Sequence, residues 1–167
     1  MDADEYFDAL QGRDEMSRFD DDELRSLIDA CAPRFLQSSN PLWVSDQIRS
    51  DAFILVSGSI ERHTRTHAGR VVQQHSAAGT LLSLSALVKP WEYHSSAHAL
   101  EQTEVLALSR ARFIEMFEDR EPVAYKLVDA IGEYLVADMR KANGRLQDVF
   151  GRPAETLLML RRRIREA

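Results

Sequence analysis

Five histidines, one cysteine and a run of hydroxyl side chains are the groups in this chain with chemistry to offer. Imidazoles ligate transition metals, but nitrogens held at about 2.0 Å from one ion must lie within ~4 Å of one another. His63 and His67 are four residues apart in a stretch of strand character, which separates them by ~13 Å. His94 and His98 have the same spacing. If Ala68-Gly69 is a two-residue hairpin turn, His67 faces Arg70, His63 faces Gln74, and His75 falls on the other side of the sheet. No metal site is expected on this reasoning. Cys31 lies on the apolar face of a helix with Leu24, Leu27 and Ile28 and reads as a buried packing residue, because a reactive thiol needs a basic, accessible setting. No G-x-G-x-x-G, P-loop, H-E-x-x-H, C-x-x-C or G-x-S-x-G motif occurs, so no catalytic residue is assigned and the chain is not expected to be an enzyme. What remains is a candidate ligand pocket. Leu82, Ser83, Leu84 and Ser85 form one side of it, Tyr93, His94, Ser95 and Ser96 the other, with serine hydroxyls and an imidazole as donors.

These residues lie within one stretch, Ala78 to Ser96, that is set between short strands. Ala77 to Thr80 reads as a turn. Leu81 to Val88 is an apolar run long enough for one or two helical turns, and Lys89-Pro90 closes it because the residue before a proline avoids the helical region. The first-turn amides of such a helix can hold an anion. Ahead of it, Arg34 to Gln37, Leu42 to Ser45, Ala52 to Thr66 and Val71 to Ser76 read as strands, separated by polar turns. Several short strands at this spacing predict a mainly β, jelly-roll double sheet with flanking helices. Trp91, just after the proline, is either a core residue or a stacking lid over a flat ligand.

In order along the chain stand the apolar strand Ile54-Leu55-Val56-Ser57-Gly58-Ser59-Ile60, the hairpin at Ala68-Gly69-Arg70 and the segment that begins at Gly79. The strand Ala99 to Leu108 and then Ser109-Arg110-Ala111-Arg112-Phe113 follow. This succession resembles the cyclic nucleotide-binding domain family, the ligand module of cyclic AMP receptor proteins and of protein kinase A regulatory subunits, over roughly Phe19 to Phe150. The resemblance implies a double-stranded β-helix barrel whose phosphate-binding cassette begins at Gly79. In that family a Glu accepts the ribose 2′-hydroxyl and an Arg pairs with the cyclic phosphate. Here those places fall on Leu84, preceded by Ser83, and on Tyr93, or on His94 with a one-residue gap. Losing one partner of such a buried pair costs about 2–5 kcal/mol, which would weaken a ~1 μM ligand to ~0.1 mM or worse.

Three readings follow. The leading one is a degenerate member of that family, a non-enzymatic regulatory module that does not bind cyclic AMP or cyclic GMP in the usual way and acts through a protein partner or another small ligand. The second is a true cyclic nucleotide sensor that uses cassette amides and His94, the latter being otherwise a surface imidazole at a strand start. The third is a truncated transcription regulator. The family's transcription factors continue into a helix-turn-helix, which needs roughly 25 residues; the amphipathic, arginine-rich stretch Arg152 to Arg165 is shorter and has no internal turn.

At 167 residues, 44% hydrophobic and 29% charged, the chain can bury a core. The expected divisions are an N-terminal helical segment (1–32), the ligand-binding-like barrel (33–120) and C-terminal helices (121–167). The acidic start Met1-Asp2-Ala3-Asp4-Glu5 is unlike a signal peptide and no apolar run reaches membrane-spanning length, so the expectation is a cytoplasmic protein with no membrane partner. A net charge of −6 argues against broad nucleic-acid binding. Residues 1–30 carry eleven acids and three bases, and residues 140–167 eight bases and three acids. From Pro122 onward, Leu127/Val128, Ile131, Leu135, Met139, Ala142, Leu146 and Val149 recur at spacings of three and four. That stripe predicts a long helix able to form a homodimer seam.

Overall fold

Two capping boxes start the N-terminal helices. Asp2 accepts from the Glu5 amide while the Glu5 carboxylate accepts from the Asp2 amide, opening α1 (Ala3–Leu10), and Asp20 and Glu23 repeat the arrangement at α2 (Asp21–Asp29). The computed structural model describes residues 1–66, 69–88, 91–92 and 95–150; of these, Arg49, Thr66, Trp91, Glu92, Asp138 and 141–150 are described by backbone alone. Cys31 follows α2. Burial pushes its thiol up to about 12, although the residue as a whole keeps intermediate exposure.

Ten strands follow. They are β1 (Ala32–Leu36), β2 (Pro41–Trp43), β3 (Ile48–Arg49), β4 (Asp51–Ser57), β5 (Ile60–Thr66), β6 (Gly69–His75), β7 (Leu81–Leu82), β8 (Trp91–Glu92), β9 (Ser95–Ala99) and β10 (Thr103–Ser109). Among the described residues the pairings are antiparallel: β1-β10-β4-β7 in one sheet, β2-β9-β5-β6 in the other, and β3 with β8 in a short ladder. Residues of both sheets meet in one core, with Phe53, Leu55, Leu82, Val105 and Ala107 from the first and Leu42, Trp43, Ile60, Ala97 and Ala99 from the second. The jelly-roll double sheet expected from the strand spacing is the fold observed.

The two sheets differ on their outer faces. β4 and β10 are buried on both sides, as their near-continuous apolar runs require. α1 and α3 (Ser85–Val88) pack on β4, and α4 (Arg110–Glu118), capped by Ser109, packs on β10. On the second sheet, β5 is half-buried and β6 largely exposed. That face carries polar and titratable side chains.

Two local expectations are corrected. The hairpin register pairs Thr66 with Gly69, Arg65 with Arg70 and His63 with Val72. The strands are thus shifted by two residues from the expected pairing of His63 with Gln74, because Gly69, at φ +123°, is the first residue of β6. The intervening His67 and Ala68 lie outside the described residues. A shift of two preserves the faces, and His75, opposite Ile60, is still across the sheet from His63. Secondly, the apolar run from Leu81 is not all helix. Leu81 and Leu82 pair with Ile54 and Phe53, Ser83 turns the chain at φ +61°, and only Ser85–Val88 is helical. A short apolar run does not by itself distinguish strand from helix.

Met1–Asp129 forms one compact unit, in which the N-terminal helices join the barrel, and residues from Ala130 belong to a second. α5 (Pro122–Phe150) begins with proline in its first turn. The tail stretch 152–165 lies outside the described residues. Among the described residues no helix is long and apolar enough to cross a membrane.

Candidate functional site

The cassette is fixed at its start by backbone geometry. Gly79 adopts φ +87°, donates to the Leu55 carbonyl at 2.8 Å, and leaves so little room that an added Cβ would lie 2.7 Å from Arg13 Cβ. The N-terminal segment thereby clamps the cassette. Glu15 accepts from the Leu81 amide at 3.1 Å. Burial raises the Glu15 pKa, and that hydrogen bond opposes the rise.

Leu82, Ser83, Leu84 and Ser85 come together in the bend that follows. Leu82 joins the core, Leu84 is buried at 5% exposure, and the Ser83 hydroxyl oxygen is buried with no hydrogen-bond partner among the described residues. Leu84, the residue onto which the resemblance carries the family's ribose-binding carboxylate, is thus buried aliphatic carbon. In the short helix whose first-turn amides are the expected anion donors, the Ala86 and Leu87 amides donate instead to the Ser83 and Leu84 carbonyls at 2.9 and 3.1 Å. A one-turn helix closes these bonds on itself and has few amides left to present. Across the barrel, Ser95 is buried opposite Thr64, and Ser96 is half-buried opposite His63. Tyr93 and His94 lie outside the described residues, as does the side chain of Trp91.

The sequence reasoning missed a cation. Arg62 stands opposite Ala97 and Gln73 and two residues from the fully buried Ile60, so period-two alternation turns it toward the core. Its guanidinium donates to the Gln73 side-chain amide oxygen. His75 shares this face, and burial followed by the Arg62 charge lowers its pKa. The alternation Ile60-Glu61-Arg62 was the available signal. A cavity of about 170 Å³ opens near the far end of β5, lined by Ser45, His63, Thr64, Arg65, Arg70 and Ser96. It is smaller than the roughly 300 Å³ at which small-molecule sites begin and holds none of the cassette residues Leu82 to Ser85.

On the candidate seam, Val128, Leu135 and Met139 are exposed, whereas Ile131 is buried within the single chain and is not offered to a partner. For Ala142, Leu146 and Val149 the helical backbone alone is described.

The family model "Cyclic nucleotide-binding domain" matches residues 33–120. No curated protein matches. Among solved structures, the chain is similar to the catabolite activator protein of Thermus thermophilus (21% identity, TM-score 0.68, covering 89% of this chain and 71% of that one). It is also similar to a cyclic nucleotide-binding-like protein of Brucella abortus (25%, 0.54, 68% and 98%). A third is the regulatory subunit of a cAMP-independent protein kinase A of Trypanosoma brucei (16%, 0.65, 79% and 46%).

Proposed function

The chain belongs to the cyclic nucleotide-binding domain family, and from that premise we propose that it is a non-enzymatic regulatory module whose barrel does not take cyclic AMP or cyclic GMP in the family's usual way. The observation that carries this reading is the burial of Leu84, the residue onto which the resemblance carries the carboxylate that accepts the ribose hydroxyl. A ligand there would lose the charge-assisted bond and gain no substitute from an aliphatic side chain. The committed Ala86 and Leu87 amides point the same way. The similar trypanosome chain is a regulatory subunit of a cAMP-independent kinase, which supports, at the level of fold, separating this barrel from that ligand. Its output then runs through a protein partner or a different small ligand. Calorimetric titration of the full chain is expected to give no binding of either nucleotide tighter than ~0.1 mM, and low-micromolar binding would overturn the proposal.

Arg62 favours a second reading, in which a core-facing cation replaces the family's arginine and the barrel still senses an anionic nucleotide. The two readings separate in one experiment. Low-micromolar binding that Arg62→Ala abolishes supports the second, and its absence supports the first.

The exposed Val128, Leu135 and Met139 on α5 further support a homodimer through this helix, the second copy covering apolar surface that water otherwise meets. Leu135→Glu together with Met139→Glu is expected to raise the dimer dissociation constant about tenfold or more in sedimentation. An unchanged association state would remove α5 from the interface.

A further inference from the structure

We propose that Glu61, His63 and His98 form a binding site for a late first-row divalent cation, Zn2+ being the probe, on the solvent-facing side of the second sheet. Separation along one strand argued against metal binding by pairs such as His63 and His67. The structure brings a different set together across two strands. Glu61 on β5 stands directly opposite His98 on β9, and His63 lies two residues along on the same face as Glu61. Alternation from the buried Ile60, Ala97 and Ala99 places all three on the face away from the core.

One carboxylate oxygen of Glu61 meets both imidazoles: it contacts His63 Nε2 and lies 3.5 Å from His98 Nε2. The three candidate ligand atoms all fall within 4.8 Å of one another. Tetrahedral ligands at about 2.0–2.1 Å from Zn2+ are about 3.4 Å apart, so side-chain rotation that parts His63 from Glu61 and brings the two imidazoles to that spacing would complete the set. The two rings are already edge to face, with centroids 4.9 Å apart. Two imidazoles and one carboxylate suit Zn2+ and its neighbours, and the nitrogen ligands disfavour Mg2+ and Ca2+. The side chains keep 17–30% exposure, which leaves a coordination position for water and a path for entry. All three stand on neighbouring strands of a four-stranded sheet, so the strand pairing fixes their backbones. A bound ion would tie β5 to β9, the strand into which the cassette leads.

Arg70 is the element that opposes the ion. Its guanidinium donates to His63 Nδ1 and lies 3.1 Å from Nε2. A neutral imidazole that ligates through Nε2 carries its proton on Nδ1 and can no longer accept there. Binding therefore requires the exposed Arg70 to swing away, and removing its side chain should tighten the site.

The test uses the full, tag-free chain stripped of metal. Titration with Zn2+ is expected to give one ion lost or weakened about tenfold or more by His98→Ala and by Glu61→Gln, and tightened by Arg70→Ala. Zn2+ should raise the melting temperature of the wild type and not of His98→Ala, and Co2+ should give the visible absorption of a low-coordinate N/O site. His75→Ala, on the other face, should change nothing. Failure of the wild type to bind Zn2+, or binding indifferent to both His98→Ala and Glu61→Gln in variants that melt cooperatively, overturns the site. Weaker binding in Arg70→Ala overturns the assigned role of that arginine.

Discussion

Gly58→Ala is expected to lower the free energy of unfolding by about 3 kcal/mol, from backbone strain of about 1–2 kcal/mol and overpacking of about 1–3 kcal/mol. Gly58 joins β4 to β5 at φ +84°, a conformation that costs nothing without a Cβ. A Cβ there would sit 2.4 Å from Thr103 Oγ1, 2.6 Å from the Gln102 carbonyl oxygen and 2.7 Å from Thr103 Cα. Two of those three atoms are backbone and cannot rotate away. The third belongs to a hydroxyl that accepts from the Ser59 amide at 3.1 Å and donates to the Glu101 carbonyl, in a residue that is 1% exposed. Relief of the clash would thus break the contact that holds the β4–β5 turn against the start of β10. Gly12→Ala is the control. It has a similar φ of +70° but nothing within 4 Å of the added carbon, so it pays the backbone term alone. Equal penalties in denaturant titrations of the two variants would show that packing against Thr103 contributes nothing.

Gly58 also shows what can be read from residues alone. A Ser-Gly after three consecutive aliphatics marks the end of a strand buried on both sides, and β4 ends there with both faces covered. Asp20 with Glu23 announces α2 in the same local way. The candidate site was less legible because its geometry depends on which residues of separate strands face one another. The Glu61, His63 and His98 set exists only in the register of β5 with β9, and nothing within either strand specifies that register. The hairpin was misplaced by two residues because glycine was assigned to the turn when it opens the second strand. Similarly, the two-residue ladder of Ile48–Arg49 with Trp91–Glu92 is too short to leave a periodic signal. Arg62 was legible in principle, since its face follows from Ile60 by counting.

Tyr6→Phe is expected to cost about 1–3 kcal/mol at neutral pH, the penalty for leaving a buried acceptor unpaired, and more if that acceptor is charged. Tyr6 on α1 and Glu104 on β10 are separated by 98 residues, and both are buried, at 5% and 8% exposure. The phenol donates to the Glu104 carboxylate, tying the N-terminal helix to the central strand of the first sheet. Burial is the largest cause raising the Tyr6 pKa, the bond to Glu104 and the Glu104 and Glu5 charges add to it, and the value reaches about 12. Because the folded pKa lies above the unfolded value near 10, the protonated phenol is the form that folding favours. Its contribution is therefore complete below about pH 10 and disappears as the pH rises through about 12. The wild type should converge on Tyr6→Phe across that window, and a difference that persists unchanged to its upper end would mean the hydroxyl acts through shape and not through its proton. A double-mutant cycle with Glu104→Leu separates the pair from the packing around it. If the two substitutions are additive, the hydrogen bond does not couple α1 to the sheet.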